Sequence, residues 1–127
     1  MEISGHHLAA VRADGTLAGY ALAFSKEQAY DGEEFLALRA AIAGSFVYVD
    51  QIAVDESARG AGIGRMLYQA LASRGRDIGA AALCCEVNTW PPNPDSLAFH
   101  RSIGFTQIGE MDTHDGRTVA LLMRELG

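Results

Sequence analysis

Long hydrophobic runs, a leader-like start and well-separated cysteines are all missing from this sequence. No apolar stretch approaches the length of a membrane span, and Met1-Glu2-Ile3 opens nothing that resembles a signal peptide. The two cysteines, Cys84 and Cys85, are adjacent, so in a strand their side chains would point to opposite faces and could not bridge each other. We expect them to be small core residues, a reactive thiol being the alternative, in a protein of the reducing cytoplasm.

Basic residues are also scarce, with ten Lys and Arg against sixteen Asp and Glu, for a formal net charge of −6. This balance argues against a nucleic-acid partner and favours a cationic acceptor such as an amine. The histidines at positions 6, 7 and 114 lack the spacing of a metal site, so no metal is expected. The chain has 127 residues, 49% of them hydrophobic, and no repeat or linker, so residues 1–127 are predicted to form a single domain.

Hydrophobic periodicity and turn residues divide the chain into strands and helices. The predicted strands are Leu8–Arg12, Leu17–Phe24, Phe46–Val54, Ala80–Asn88, Thr106–Gly109 and Thr118–Met123, with hairpin turns at residues 13–16 and at Asp115-Gly116. The predicted helices are Glu33–Ile42 after a loop at Tyr30-Asp31, Met66–Arg74 ending near Gly75, and a helix capped by Asn93 that ends at Gly104.

A glycine-rich loop, Arg-Gly-Ala-Gly-Ile-Gly at residues 59–64, follows the third predicted strand. Its three glycines leave backbone N–H groups uncovered, the helix that follows adds the positive end of its dipole, and Arg59 adds a cation. Together these features predict a phosphate-binding site. The loop is not a Walker loop, because Arg65 and Met66 stand where Lys and Ser or Thr are required, and its glycine spacing does not fit a dinucleotide fingerprint.

A second motif begins at Asn93 and ends in Gly104-Phe105, with Ser96 three residues and His100 seven residues after the asparagine. The two motifs resemble the two signatures of the GCN5-related N-acetyltransferase (GNAT) superfamily and occur in the same order. The first is Arg-x-x-Gly-x-Gly directly after a strand, and the second is the asparagine motif. The resemblance covers roughly residues 46–126 and is thinner before them.

The resemblance implies an α/β fold with a mixed, largely antiparallel sheet flanked by helices, lacking the family's usual N-terminal strand and helices. It implies an acetyl-CoA-dependent N-acetyltransferase that moves an acetyl group from the thioester to an amine of a small molecule or peptide. The strand before the glycine loop would splay from its neighbour and bind the pantetheine arm through its free amides. The residues expected to bind acetyl-CoA are Ile52, Ala53, Val54, Arg59, Gly60, Ala61, Gly62, Ile63, Gly64, Arg65, Asn93, Ser96 and His100.

Acetyl transfer needs a base that takes a proton from the amine and donors that stabilise the carbonyl oxygen. Alternation along the strand before the loop predicts that Tyr48, Asp50, Ile52 and Val54 share one face. Asp50 is the first candidate for the base or for an amine anchor, and Glu86 in the next strand is the second. A solvated or structural carboxylate is the alternative. In the histone-acetyltransferase branch of the family, the catalytic glutamate would fall at Tyr48.

The departing thiolate needs a proton, and the family usually supplies it from a tyrosine seven residues after the asparagine. This sequence has His100 at that position, so by the resemblance His100 is the candidate general acid. An equal alternative is that His100 is a partly buried helix residue that hydrogen-bonds the cofactor. Asn93 and Ser96 are also explained as an N-cap and a first-turn serine.

Alternatives remain open for the function and for residues 25–45. A non-catalytic acyl-CoA-binding module, a degenerate GNAT domain that senses or scaffolds, is the main rival, and a nucleotide-binding regulatory domain rests on the glycine loop alone. Residues 25–45 either replace the missing wall of the acceptor pocket or form a simple surface connector. Without the family's first strand and helices, the sheet edge at residues 8–24 lacks cover, which predicts a homodimer.

Overall fold

The computed structural model describes residues 7–26 and 32–127. Within them, six strands form one sheet, connected by three α-helices and one short 3₁₀ helix. The elements are β1 (Leu8–Val11), β2 (Leu17–Ser25), α1 (Glu33–Ala41), β3 (Phe46–Val54), the 3₁₀ helix (Glu56–Ala58), α2 (Ile63–Asp77), β4 (Ala82–Trp90), α3 (Pro94–Ser102), β5 (Thr106–Asp112) and β6 (Thr118–Glu125). The strand order is β1-β2-β3-β4-β6-β5, and every neighbouring pair is antiparallel except β3 and β4. The predicted mixed, largely antiparallel sheet is confirmed.

Helix α2 is longer than predicted at both ends. It begins directly after Gly62, whose φ of 79° lets the loop turn into the helix, so the last glycine of the motif lies inside the first turn. The predicted end near Gly75 is two residues short of the observed end, and Gly75 itself does not terminate the helix. A Cβ on Gly75 would lie 2.7 Å from Leu126 Cδ1, so this glycine permits close packing rather than a turn. The helix continues to Asp77, and Gly79 then takes the left-handed conformation.

Strand β3 has the predicted bounds, and the other boundaries agree with the predictions to within three residues. Helix α1 ends one residue earlier, β4 is displaced two residues towards the C-terminus, and β5 and β6 each extend further. The β5–β6 turn at Asp115-Gly116 is confirmed, because the N–H of Thr113 donates to the carbonyl of Arg117 across it at 2.8 Å. The predicted loop at Tyr30-Asp31 lies outside the described residues.

The sheet carries a hydrophobic cluster on each face. Helices α2 and α3 cover one face, where Val47, Leu83 and Cys85 are buried. Helix α1 covers the other, where Phe35 and Leu38 of the helix pack with the strand residues Phe46, Tyr48 and Cys84. The adjacent cysteines therefore face opposite clusters as predicted, and burial raises the pKa of both thiols.

Helix α1 is a packed part of the core and not a surface connector. Phe35 and Leu38 are fully buried, and the Phe35 ring makes an edge contact with the Tyr48 ring at 5.4 Å between centroids. The C-terminal carbonyls of the α1 segment accept hydrogen bonds from the Lys26 ammonium, at 2.7 Å for Ile42. In the parts of the chain that the structure describes, no helix has both the length and the apolar character needed to cross a membrane.

Strand β1 forms one edge of the sheet. Val11 is 61% exposed and Leu17 is 50% exposed beside it, so apolar side chains face solvent at this edge. Self-association through the edge stays a prediction.

Strands β3 and β4 pair over three residues only and then diverge. Their register runs from Phe46 opposite Ala82 to Tyr48 opposite Cys84 and stops there. On its other side β3 stays paired with β2, but the register jumps at Asp50, from Val49 opposite Ala23 to Gln51 opposite Leu22. This β-bulge bends and twists β3 at the point where it leaves β4. The divergence opens the sheet between two strands that both continue for several residues.

The close approach of β2 to β3 provides a test of this packing. A Cβ on Gly19 would lie 2.8 Å from the Ala53 carbonyl oxygen and 3.0 Å from Ile63 Cγ2, so Gly19→Ala should lower the free energy of unfolding by about 1–3 kcal/mol. The matched control is Gly109→Ala in β5, where the added Cβ would meet Leu121 Cδ1 at 3.5 Å, an ordinary contact. Its effect should stay below about 1 kcal/mol. Chemical denaturation of both variants measures the difference, and equal effects would contradict it.

Candidate active site

The glycine loop opens onto a cavity of about 540 Å³. Gly60 and Gly62 have φ values of 85° and 79°, and a Cβ on either would meet no heavy atom within 4 Å, so the space above the loop is free. The first N–H groups of α2 have no side-chain cap. Uncapped amides at the start of a helix suit an anion, and Arg59 and Arg65 add positive charge to the cavity wall.

Most residues predicted to bind acetyl-CoA line this cavity. The lining is Ile52, Val54, Ala58, Arg59, Gly60, Gly62, Ile63, Gly64, Arg65, Asp95, Ser96, Phe99 and His100. Of the predicted set, Ala53, Ala61 and Asn93 are not in this lining. The Asn93 side chain instead accepts a hydrogen bond from the Ser96 N–H at 3.3 Å and caps α3. Binding of acetyl-CoA by these residues stays a prediction.

Arg12 braces the turn that leads into the loop, a role that no local motif indicated. Its Nη2 donates to Asp55 Oδ2 and to Ser57 Oγ, each at 2.8 Å, while Nη1 donates to the Leu17 carbonyl at 2.9 Å. Hydrogen bonds from Ser57 and then Arg12 hold the pKa of Asp55 below its usual value. The β1–β2 hairpin is thereby tied to the chain just before Arg59.

A smaller cavity of about 220 Å³ lies where β3 and β4 diverge. It shares Ile52, Ser96 and His100 with the larger cavity, so the two meet at these residues. Asp50 and Glu86 also line it. The structure therefore brings both carboxylates predicted as base candidates to one small space beside His100.

Glu86 is held by a tyrosine from the neighbouring strand. The buried Tyr48 hydroxyl donates to the Glu86 carboxylate, at 2.8 Å from Oε1 and 3.0 Å from Oε2. Burial raises the pKa of Glu86 to about 7; the Tyr48 hydrogen bond opposes this rise, and the negative charges of Glu34 and Asp50 add to it. A carboxyl group with this pKa exchanges protons near neutral pH. Sequence reasoning missed the role of Tyr48. Its hydroxyl does not replace a catalytic carboxylate but orients the carboxylate of Glu86.

Asp50 lies beside this pair. The prediction that Asp50 shares one strand face with Tyr48, Ile52 and Val54, which favoured it as the base, is wrong. The bulge at Asp50 breaks the alternation of β3, so Tyr48 packs in the cluster under α1 while Ile52 packs in the cluster under α2 and α3. The four residues predicted on one face are therefore divided between two. Asp50 Oδ1 lies 3.5 Å from the Tyr48 hydroxyl, at the limit of a hydrogen bond.

His100 is buried, at 5% exposure, and both of its ring nitrogens are engaged. Nδ1 lies 2.7 Å from the Ser96 carbonyl oxygen, which can only accept, so Nδ1 carries the proton. Nε2 of the neutral ring then accepts from the Tyr68 hydroxyl at 2.6 Å. Burial lowers the pKa of His100, although the bond to Ser96 acts in the opposite direction. No motif in the sequence pointed to Tyr68 or to this pairing.

Helix α1 and the β5–β6 turn are tied together beside Glu86. Arg117 donates to Glu34 at 3.2 Å and to Asn88 Oδ1 at 3.1 Å, which joins α1, the turn and β4. The N–H of His114 donates to the Glu33 carboxylate at 3.0 Å. A wall with several carboxylates therefore stands on the α1 side of the diverging strands.

This fold, with a glycine loop leading to a gap between parallel strands, is shared with acetyltransferases of known structure. A comparison with family models matches residues 2–105, and the chain belongs to the acetyltransferase (GNAT) family. No curated protein sequence matches the chain.

Solved structures share the fold. The structure of nourseothricin acetyltransferase is 26% identical, with a TM-score of 0.71, covering 95% of this chain and 65% of that one. The ribosomal-protein-S18-alanine N-acetyltransferase from Escherichia coli is 21% identical, with a TM-score of 0.64, covering 91% and 66%. The NatC complex bound to Gag peptide and CoA is 15% identical, with a TM-score of 0.66, covering 87% and 62%. The chain thus spans less than two thirds of the length of these proteins.

The hydrogen bonds of His100 predict its protonation state. In the folded protein at pH 7, Nδ1 should be protonated and Nε2 unprotonated, and the pKa of His100 should lie below that of a free histidine because burial disfavours the charged ring. Nitrogen-15 NMR of the imidazole rings across a pH titration measures both, with His100→Gln to assign the signals. A proton on Nε2 at neutral pH would contradict this arrangement.

Proposed function

We propose that this protein transfers the acetyl group of acetyl-CoA to an amine of a small molecule or peptide. Its family membership supports the reaction type. The open amides and arginines of residues 59–65 suit the pyrophosphate of CoA, and the meeting of the two cavities at Ile52, Ser96 and His100 provides a path for the thioester to the strand gap.

The observation that carries this proposal is the Glu86 carboxyl in the gap, with its pKa raised to about 7. A general base works best when its pKa lies near the working pH. In the proposed reaction Glu86 takes a proton from the amine, the nitrogen attacks the acetyl carbonyl, and the C–S bond breaks to release CoA thiolate. A binding module without chemistry has no need of such a carboxyl, so this observation favours the enzyme over the non-catalytic alternative.

Strand β3 beyond Tyr48 is suited to the carbonyl oxygen of the thioester. In this part of the strand β4 no longer pairs with it, so backbone N–H groups on that side are available to a ligand. Donors fixed before the reaction stabilise the developing oxyanion without reorganisation. We assign this role to the backbone between Ile52 and Val54.

His100 lies where the leaving sulfur would pass, and we keep it as the candidate for the leaving-group side of the reaction. As a direct acid it must carry a proton on Nε2, a state that its burial disfavours. In the neutral state the transferable proton of the pair belongs to the Tyr68 hydroxyl. The ionisation state of the His100 ring therefore decides whether the imidazole or the Tyr68 phenol gives a proton to the leaving thiolate.

The first prediction concerns the loop. Gly62→Asp places bulk and negative charge where phosphate would bind, so the stabilisation by acetyl-CoA, about 2.7 kcal/mol at a hundred times the dissociation constant, should be lost. Gly116→Asp is the matched control, because that glycine also has a positive φ and open surroundings but lies in the β5–β6 turn. Thermal shift with and without acetyl-CoA measures both. An equal ligand-induced shift in wild type and Gly62→Asp would refute the site.

The second prediction separates the two carboxylates. If Glu86 is the base, turnover should rise with pH through a midpoint of about 7, and Glu86→Gln should lower it by about 10²–10⁴-fold and remove that limb. Asp50→Asn should keep most of the turnover and move the limb to lower pH, because the Asp50 charge raises the pKa of Glu86. Thiol release from acetyl-CoA with a panel of amines is the readout. Loss of turnover in Asp50→Asn with a normal Glu86→Gln would reverse the assignment.

A further inference from the structure

Tyr68 belongs to the lining of two cavities. One is the 220 Å³ cavity in the strand gap, and the other is a cavity of about 400 Å³ behind α2 and α3. Among the residues that the structure describes, Tyr68 is the one that lines both. We propose that Tyr68 is the residue that limits the acyl group of the thioester to acetyl, an inference that rests on the proposed function.

The direction in which an acyl chain would extend follows from the chemistry of the walls. Asp50 and Glu86 form the polar side of the small cavity, and the attacking amine has to reach Glu86 from that side. Val49, Tyr68 and Cys85 form the apolar side and belong to the cluster under α2 and α3. The methyl of an acetyl group gains free energy against apolar atoms and gains nothing against a carboxylate. A longer chain would therefore grow towards Tyr68.

The Tyr68 ring is fixed in place. It is 1% exposed, its hydroxyl is held by His100 Nε2 at 2.6 Å, and it makes an edge contact with the Phe105 ring at 5.4 Å between centroids. Rotation would break the hydrogen bond and leave a buried nitrogen without its donor, which is costly. The small cavity cannot lengthen by movement of this side chain, and at 220 Å³ it lies below the usual size of a site for a drug-sized ligand.

Removal of the ring would take away the one side chain that the linings of both cavities share among the described residues. Leucine at position 68 keeps an apolar side chain on α2 but lacks the outer half of the ring, so a butyryl or hexanoyl chain would gain a path towards the rear cavity. Phenylalanine keeps the ring and removes only the hydroxyl. The comparison of Tyr68→Leu with Tyr68→Phe therefore separates the bulk of the ring from its hydrogen bond to His100.

The test is the affinity of wild type and both variants for CoA, acetyl-CoA, butyryl-CoA and hexanoyl-CoA, measured by titration calorimetry without an acceptor. A methylene that a pocket cannot accommodate costs at least about 10-fold, so wild type should bind butyryl-CoA at least about 10-fold more weakly than acetyl-CoA. Tyr68→Phe should keep this ratio, and Tyr68→Leu should bring it close to one. Circular dichroism establishes that each variant is folded.

Each contrary result overturns the proposal in a distinguishable way. Equal affinity of wild type for acetyl-CoA and hexanoyl-CoA refutes it without any variant, so it stays testable even if Tyr68→Leu does not fold. A ratio unchanged in a folded Tyr68→Leu refutes the role of the ring, and a ratio lost in Tyr68→Phe assigns the effect to the hydroxyl instead. Failure of wild type to bind any of the four compounds would refute the proposed function itself and this inference with it.

Discussion

The divergence of β3 from β4 is the constraint on which the site depends. Only three residue pairs join these parallel strands, and the bulge at Asp50 then bends β3 away while β2 still holds it from the other side. A gap inside a sheet exposes backbone donors and acceptors that would be costly to bury unpaired. The gap is therefore stable only as a wetted or ligand-filled space. The same gap gives space to the carboxyl group of Glu86. This residue belongs to a strand that is otherwise apolar and buried from Ala82 to Val87.

The site uses hydrogen bonds between aromatic and titratable residues to fix protonation states. Tyr48 reaches from β3 to Glu86 on β4, and Tyr68 reaches from α2 to His100 on α3. Burial pushes the two titratable groups towards their neutral forms, because it raises the pKa of Glu86 and lowers the pKa of His100. At pH 7 a Glu86 carboxyl with a pKa of about 7 is about half ionised, while burial favours the neutral ring of His100.

Sequence patterns predicted the parts of this molecule that depend on local chemistry. The glycine loop, the asparagine cap of α3 and the order of strands and helices follow from glycine spacing, capping residues and periodicity, all of which act over a few residues. The bulge could not be predicted, because it exists only in the register between β2 and β3. For the same reason Tyr48 and Ile52 were wrongly predicted to share a face, whereas the bulge puts them on opposite faces of the sheet. Gly75 misled in a related way, since its close neighbour Leu126 is distant in sequence.

The position of Glu86 in its strand is itself a signal in the sequence. A single glutamate in a continuous apolar strand carries a desolvation cost that a surface carboxylate does not, so its presence needs a compensating partner or a function. Asp50 stood in a strand with mixed polarity and carried no such cost. The partner of Glu86 is the hydroxyl of Tyr48 on the neighbouring strand. With the phenol on β3 and the carboxyl on β4, the gap holds a hydrogen-bonded pair that joins the two strands beyond their last paired residues, and burial keeps the pKa of its carboxyl near 7.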